Sequence, residues 1–264
     1  MKYLCVDGEA VLVHHRGPTT LPEAPPDLSR GTTVLCLHDA GGNGAVFAGL
    51  LDRLDAAGHS PVAYDQPGHG RSGGLDSLGV VDAMAAHARA VADQLRMEYP
   101  ILLGEGMGAA VALELAMTAP DWPRALVLCG EVGAEYDESG TIEQLSAIVA
   151  GRARREFDST GYAPDTPREI YQAAFGEWIK TDPRATLGDR QAMDSWSPGD
   201  RLTAVAAPVT IVVGESTEDP ARAAALDLAG RFPQATVVEL AGAGRRGVVE
   251  QPDALAAIVA EAAS

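Results

Sequence analysis

Lysine is almost missing from this chain. Of 20 basic residues only Lys2 and Lys180 are lysines, and 37 acidic residues bring the net charge to −17. A surface of that sign repels polyanions, which argues against nucleic acid and anionic membranes as partners. Cysteine is scarce too. Cys5, Cys36 and Cys129 are an odd number without metal-ligand spacing. That excludes a disulfide framework and predicts reduced, buried thiols, no metal and a cytoplasmic protein. No apolar run reaches the roughly 18 residues of a membrane span, and the start, Met-Lys-Tyr-Leu-Cys-Val-Asp-Gly, lacks the apolar core of a signal peptide. Histidine stops at His87, so the last two-thirds of the chain holds no imidazole base.

What is present is a rhythm. The chain has 264 residues, 46% hydrophobic, enough for one α/β domain with an insertion. Asp7-Gly8 between two short alternating runs predicts a hairpin, with His14 and His15 at its surface end. Residues 17–30 carry Pro18, Pro22, Pro25 and Pro26 and predict a loop. Apolar strands are expected at Thr32–Leu37, Pro61–Tyr64, Ile101–Leu103 and Ala125–Cys129, with helices at Val46–Ala57, Val80–Leu95 and Ala109–Ala119 between them. That alternation predicts a mostly parallel sheet with helices on both faces. Ligands of such sheets bind above the carboxyl ends of the strands, where the loops at His38, Asp65, Gly104 and Glu131 should converge.

From residue 133 to 201 the rhythm changes. Helices are expected at Ile142–Phe157, Pro167–Lys180 and Arg184–Ser195 with no strand between them, and Tyr136, Phe157, Tyr162, Tyr171, Phe175, Trp178 and Trp196 gather here. The aromatics either pack this segment onto the core or line an apolar pocket. The sheet resumes at Val209–Val213 and Thr236–Leu240. The expected division is a core of residues 1–132 and 202–264 with a helical lid of residues 133–201 inserted before the last two strands.

Several motifs then stand in a recognisable order. Leu37-His-Asp-Ala-Gly-Gly-Asn43 is followed by Asp65-Gln-Pro-Gly-His-Gly-Arg-Ser72. The strand–turn–helix run Gly104-Glu-Gly-Met-Gly108 comes next, and a Gly-x-Gly loop leading to Glu250-Gln-Pro closes the series. In that order they resemble the α/β-hydrolase superfamily from end to end, and lidded carboxylesterases and lactonases in particular. The resemblance implies that fold. It also implies an oxyanion hole made by the backbone N–H groups of Ala40 and Met107 beside a nucleophile elbow.

The resemblance places Gly106, Thr217 and Arg245 where the nucleophile, acid and base of a catalytic triad would stand. Gly106 has no nucleophilic atom, and Arg245 stays protonated. Classical ester hydrolysis through an acyl-enzyme at the elbow, and chemistry through an aspartate there, are excluded. The remaining candidates are Asp39, Glu131, His38 and Arg245 for acid–base work. Ala40, Met107, Gly106 and Glu105 are candidates for holding a substrate oxygen. Glu105 is expected to point behind the turn, Asp65 to order its own loop, and Arg245 to pair with Glu131 or an anionic substrate. No cofactor is expected.

The expected function is a non-serine enzyme of this fold: a lyase, cyclase, isomerase or water-attack hydrolase acting on a small, partly apolar carbonyl compound under the lid. The alternative is a non-catalytic small-molecule receptor. An esterase with an unusual nucleophile such as Ser72 or Ser216 is a third reading.

Overall fold

The computed structural model describes residues 1–18, 24–133 and 135–263. Part of the expected proline-rich loop, residues 19–23, lies outside the described residues. Among the described residues eight strands, numbered in chain order, form one sheet in the order β1-β2-β4-β3-β5-β6-β7-β8. β1 (Lys2–Val6) and β2 (Glu9–His15) form the expected hairpin, turned by Asp7 and Gly8 at positive φ, and β2 runs antiparallel to β4 (Ser60–Tyr64). β3 (Thr33–Leu37), β5 (Ile101–Glu105), β6 (Ala125–Cys129), β7 (Val209–Gly214) and β8 (Thr236–Leu240) complete the sheet, and every pairing from β4 onward is parallel.

Alternation along each strand sends side chains to two separate apolar layers. Leu35, Leu37, Leu102, Leu126 and Ile211 pack with α2 (Val81–Gln94) and α3 (Met107–Thr118) on one face. Val34, Cys36, Ile101, Leu103 and Val127 pack with α1 (Ala48–Ala56) and α9 (Pro252–Ala262) on the other. Nearly all of α3 is buried, which explains why its sequence is alanine-rich and shows no polar stripe. α3 starts tightly against β3. A Cβ on Gly108 would run into the carbonyl of Leu37, so this position admits only glycine.

Among the described residues three α-helices lie between β6 and β7: α4 (Ser139–Val149), α5 (Arg168–Trp178) and α6 (Pro183–Ser195), followed by a 3-10 turn at Gly199–Ala204. α4 is shorter than the expected Ile142–Phe157 because Gly151 takes φ 69° just after it and ends the helix. α6 starts on Asp182, whose side chain accepts from the Arg184 N–H, with Pro183 in the first turn. After β7 come α7 (Asp219–Gly230), then β8 and the short α8 (Gly247–Glu250).

Two expectations are corrected here. Cys5 is exposed rather than buried, because β1 is an edge strand whose residues alternate outward. His14 and His15 are buried, not surface residues. β2 is an inner strand, and His14 Nε2 lies 2.7 Å from Asp65 Oδ1.

Candidate functional site

The loops after β3 and β5 and the loop before α8 meet at one end of the sheet, beneath α4–α6. They line an open cavity of about 560 Å³. Its floor carries Asp39, Glu105 and Arg246, α6 adds Arg190, and its walls include Leu145, Ile148, Phe157, Tyr162 and Trp178.

Gly106 stands at the turn from β5 into α3 with φ 53° and ψ −114°, a conformation costly for any residue with a Cβ. Space is a second reason for glycine there, since a Cβ on Gly106 would collide with the Asp39 carboxylate. Asp39 Oδ1 accepts the N–H of Ala40 at 2.7 Å and the N–H of Met107 at 2.9 Å. Its Oδ2 lies 2.9 Å from the Arg246 guanidinium. The two N–H groups expected to face a substrate oxygen are thus taken by a side chain of the chain itself.

Burial alone would raise the Asp39 pKa. The charges of Arg190 and Arg246 and the two backbone N–H bonds outweigh it and hold Asp39 below the usual carboxylate range. Arg246 is the matching cation. Burial opposes its charge, and Asp39, Glu105 and Tyr162 restore and strengthen it.

Glu105 behaves oppositely. Its side chain is 4% exposed and lines the cavity, so it does not point away behind the turn as expected. Its carboxyl receives no hydrogen bond from the described residues. Burial pushes its pKa from 4.5 to about 7; Arg246 pulls down, and Asp39 and Glu250 push up. The pKa values of these two carboxyls are therefore pushed apart, one below the usual carboxylate range and the other to about 7.

The other expected residues are spread out. His38 is buried, and both ring nitrogens are engaged by backbone: Nδ1 donates to the Asp39 carbonyl at 2.9 Å and Nε2 accepts from Gln66 N–H at 3.2 Å. Burial lowers its pKa to about 4. No nitrogen is left for a substrate proton, and the ring braces the loop.

Arg245 faces away from this cavity. It pairs with Glu131 at 2.7 Å and Glu218 at 3.0 Å, beside a second cavity of about 410 Å³ that is rich in carboxylates. Glu131 is half-exposed there. Thr217 is buried, with its hydroxyl unpartnered among the described residues. Asp65 orders its turn as expected, accepting from the N–H groups of Gly44 and Arg71. Ser72 donates to the Asp65 carbonyl and accepts from Leu12 N–H, which ties it to the same turn.

Three residues of the site escape a reading of the sequence alone. Arg246 takes the floor position expected of Arg245; two adjacent loop arginines must point apart, and nothing in the sequence says which goes in. Arg190 bridges the two cavities and pairs with Glu138 at 2.7 Å. Asp189 is fully buried. It accepts from Gly41 N–H at 2.8 Å, Ser77 Oγ at 2.6 Å and His69 Nε2 at 2.7 Å, fastening α6 to the loop after β3. A signal for Asp189 did exist. The buried residues of α6 are Ala185, Asp189, Ala192 and Met193, a helical stripe in which an aspartate is out of place. Among the described residues no cluster of ligating side chains suits a metal ion, and no helix is long and apolar enough to cross a membrane.

Known proteins share this frame. The chain is 31% identical over 124 residues to the dihydrolipoyllysine-residue acetyltransferase component of the acetoin cleaving system of Cupriavidus necator; the match covers 47% of this chain but only 32% of that protein. It is 25% identical over 249 residues to BpoC of Mycobacterium tuberculosis, which carries the name of a non-heme bromoperoxidase; 87% of this chain and 92% of that one are covered. An esterase from Exiguobacterium antarcticum superposes with a TM-score of 0.83 at 18% identity over 100% of this chain and 99% of that one, a likeness of fold. A family model described as the alpha/beta hydrolase family matches residues 34–258. That span takes in β3 through α9, including the Asp39 loop, the Gly106 turn and the Arg246 loop, so the chain belongs to the alpha/beta hydrolase family.

Proposed function

We propose that this protein is a non-serine member of its family that uses carboxylate acid–base chemistry on a small, partly apolar carbonyl compound. Gly106, Thr217 and Arg245 stand in place of a triad, and Asp39 fills the space a serine side chain would need. The observation that carries the reading is the unequal pair of carboxyls: Asp39 is held ionised by Arg246 and two backbone N–H groups, while Glu105 beside it titrates near neutrality. Environments that push two carboxyl pKa values apart are how a site separates acid and base roles.

In this mechanism Glu105 moves the proton. Its pKa near the working pH gives both a usable population of base and a usable acid. Asp39 is bound too firmly to be a good base, and it orients Arg246. Because Asp39 occupies the N–H groups of Ala40 and Met107, charge developing on a substrate oxygen falls to Arg246 and Arg190 instead. Isomerisation, elimination, cyclisation and direct attack of water fit, since none needs a protein nucleophile. The helices between β6 and β7 act as a lid over the cavity. The core of residues 1–132 and 202–264 supplies Asp39, Glu105 and Arg246, and the lid supplies Arg190.

The test starts from compounds captured by the purified protein and identified by mass spectrometry. Each is incubated with wild type and with Glu105→Gln. Conversion by wild type, lowered about 10²–10⁴-fold in the variant, supports the reading. Recovery of every ligand unchanged would favour a small-molecule receptor, for which the closed internal network around Asp39 is the supporting observation.

A further inference from the structure

We propose that the cavity takes a small organic acid: a compound with an apolar body and a carboxylate that Arg190 and Arg246 bind. The inference rests on the same site as the proposed function and names its substrate class.

Two observations carry it. The first is unspent hydrogen-bonding capacity. A guanidinium offers five N–H donors in a planar fork. Arg246 spends one side-chain nitrogen on Asp39, and Arg190 spends one on Glu138. Their other nitrogens have no acceptor among the described residues, although both side chains line the cavity. Neither arginine is among the residues whose fully buried polar atoms lack a partner, so the free N–H edges face open space. A cation placed only to neutralise Asp39 or Glu138 has no need of a second open edge. A carboxylate fits such an edge bidentately.

The second observation is the division of the cavity wall. Leu145, Ile148, Phe157 and Trp178 form an apolar part, with Phe157 edge-on to Trp178 at 5.6 Å. Arg155 is fixed over the Trp178 ring at 3.9 Å and donates to the carbonyls of Trp178 and Thr181. Three arginines thus line a cavity in a chain of net charge −17. The acidic lining residues are largely engaged: Asp158 accepts from Thr160, and Glu177 pairs with Lys180. Glu156 lines the cavity too but is exposed; Glu105 is buried, and in its protonated form it can donate to the second oxygen of the bound acid.

The experiment is calorimetric titration of the full chain with phenylacetate and 4-phenylbutyrate, each against its neutral amide. At least one acid is expected to bind ten times or more tighter than its amide. Arg246→Gln and Arg190→Gln should each weaken that acid at least tenfold and leave the amide unchanged. If Arg246→Gln does not fold, Arg246→Lys keeps the charge beside Asp39 but loses the planar fork, and it should still weaken the acid about tenfold. Equal affinity for both acids and their amides, or acid binding unmoved by the arginine variants, overturns the proposal. Acid binding without conversion of any ligand sinks the enzymatic reading and keeps this one. Turnover of neutral carbonyl compounds with no preference for the acids does the reverse.

Discussion

Glu105 should make this protein less stable as pH rises through neutrality, and replacing it should remove that loss. Its carboxyl is buried without a hydrogen bond from the described residues and lies near the charges of Arg246, Asp39 and Glu250. Folding raises its pKa from 4.5 to about 7. Between those values the folded chain binds the proton and the unfolded chain does not. Stability therefore falls as pH rises from the unfolded value to the folded one and is flat beyond. At roughly 1.4 kcal/mol per pH unit the loss is about 3 kcal/mol by pH 8. Gln cannot ionise and has nearly the shape of the protonated acid. Glu105→Gln should match wild type near pH 4 and exceed it by about 3 kcal/mol at pH 8. For a chain of this size that corresponds to about 6 °C in Tm. The assay is thermal unfolding of both proteins from pH 4 to 8. A variant that is equally or less stable than wild type at pH 8 would refute the reasoning.

Asp39→Asn leaves Arg246 beside an amide. It should cost about 3 kcal/mol, the low end for breaking a buried pair because Arg246 keeps some exposure, measured by urea unfolding. Gly106→Ser meets both the positive φ and the Asp39 carboxylate; it should lower stability by roughly 1–3 kcal/mol and give no p-nitrophenyl ester hydrolysis, since both ring nitrogens of His38, the histidine of that loop, are already bonded to backbone. Detectable hydrolysis by that variant would contradict this account of the site. Asp189→Asn should cost about 3–5 kcal/mol by the same unfolding assay, because it loosens α6 from the loop after β3. Arg245→Ala should change stability by less than about 1 kcal/mol, as exposed ion pairs do, and leave ligand affinity in the main cavity untouched, which separates it from Arg246.

Most of the fold is legible in the sequence. β3, β5 and β6 are short unbroken apolar runs because both their faces are covered, and their glycine-rich ends mark where loops turn back over the sheet. What escapes is direction. β1 alternates weakly, so Cys5 can be placed on either side until the sheet order makes β1 an edge. His14 looks like a strand end until Asp65, 51 residues away, is brought beside it. The site shows the same divide. Asp39, Glu105 and Gly106 stand out by their positions in the motifs. That Asp39 turns its carboxylate back onto the N–H groups of Ala40 and Met107 depends on a side-chain rotamer and on Arg246 arriving from a loop more than 200 residues later. No local pattern encodes that meeting, nor the choice between Arg245 and Arg246.

The central claim is that Asp39 and Glu105 have carboxyl pKa values pushed apart, Asp39 staying ionised while Glu105 titrates near neutral pH. Carbon-13 NMR titration of the side-chain carboxyls, assigned with Asp39→Asn and Glu105→Gln, tests it most directly. The account predicts a Glu105 midpoint near pH 7 and an Asp39 midpoint below the ordinary carboxylate range. A Glu105 midpoint below about pH 5, within the ordinary carboxylate range, would contradict it.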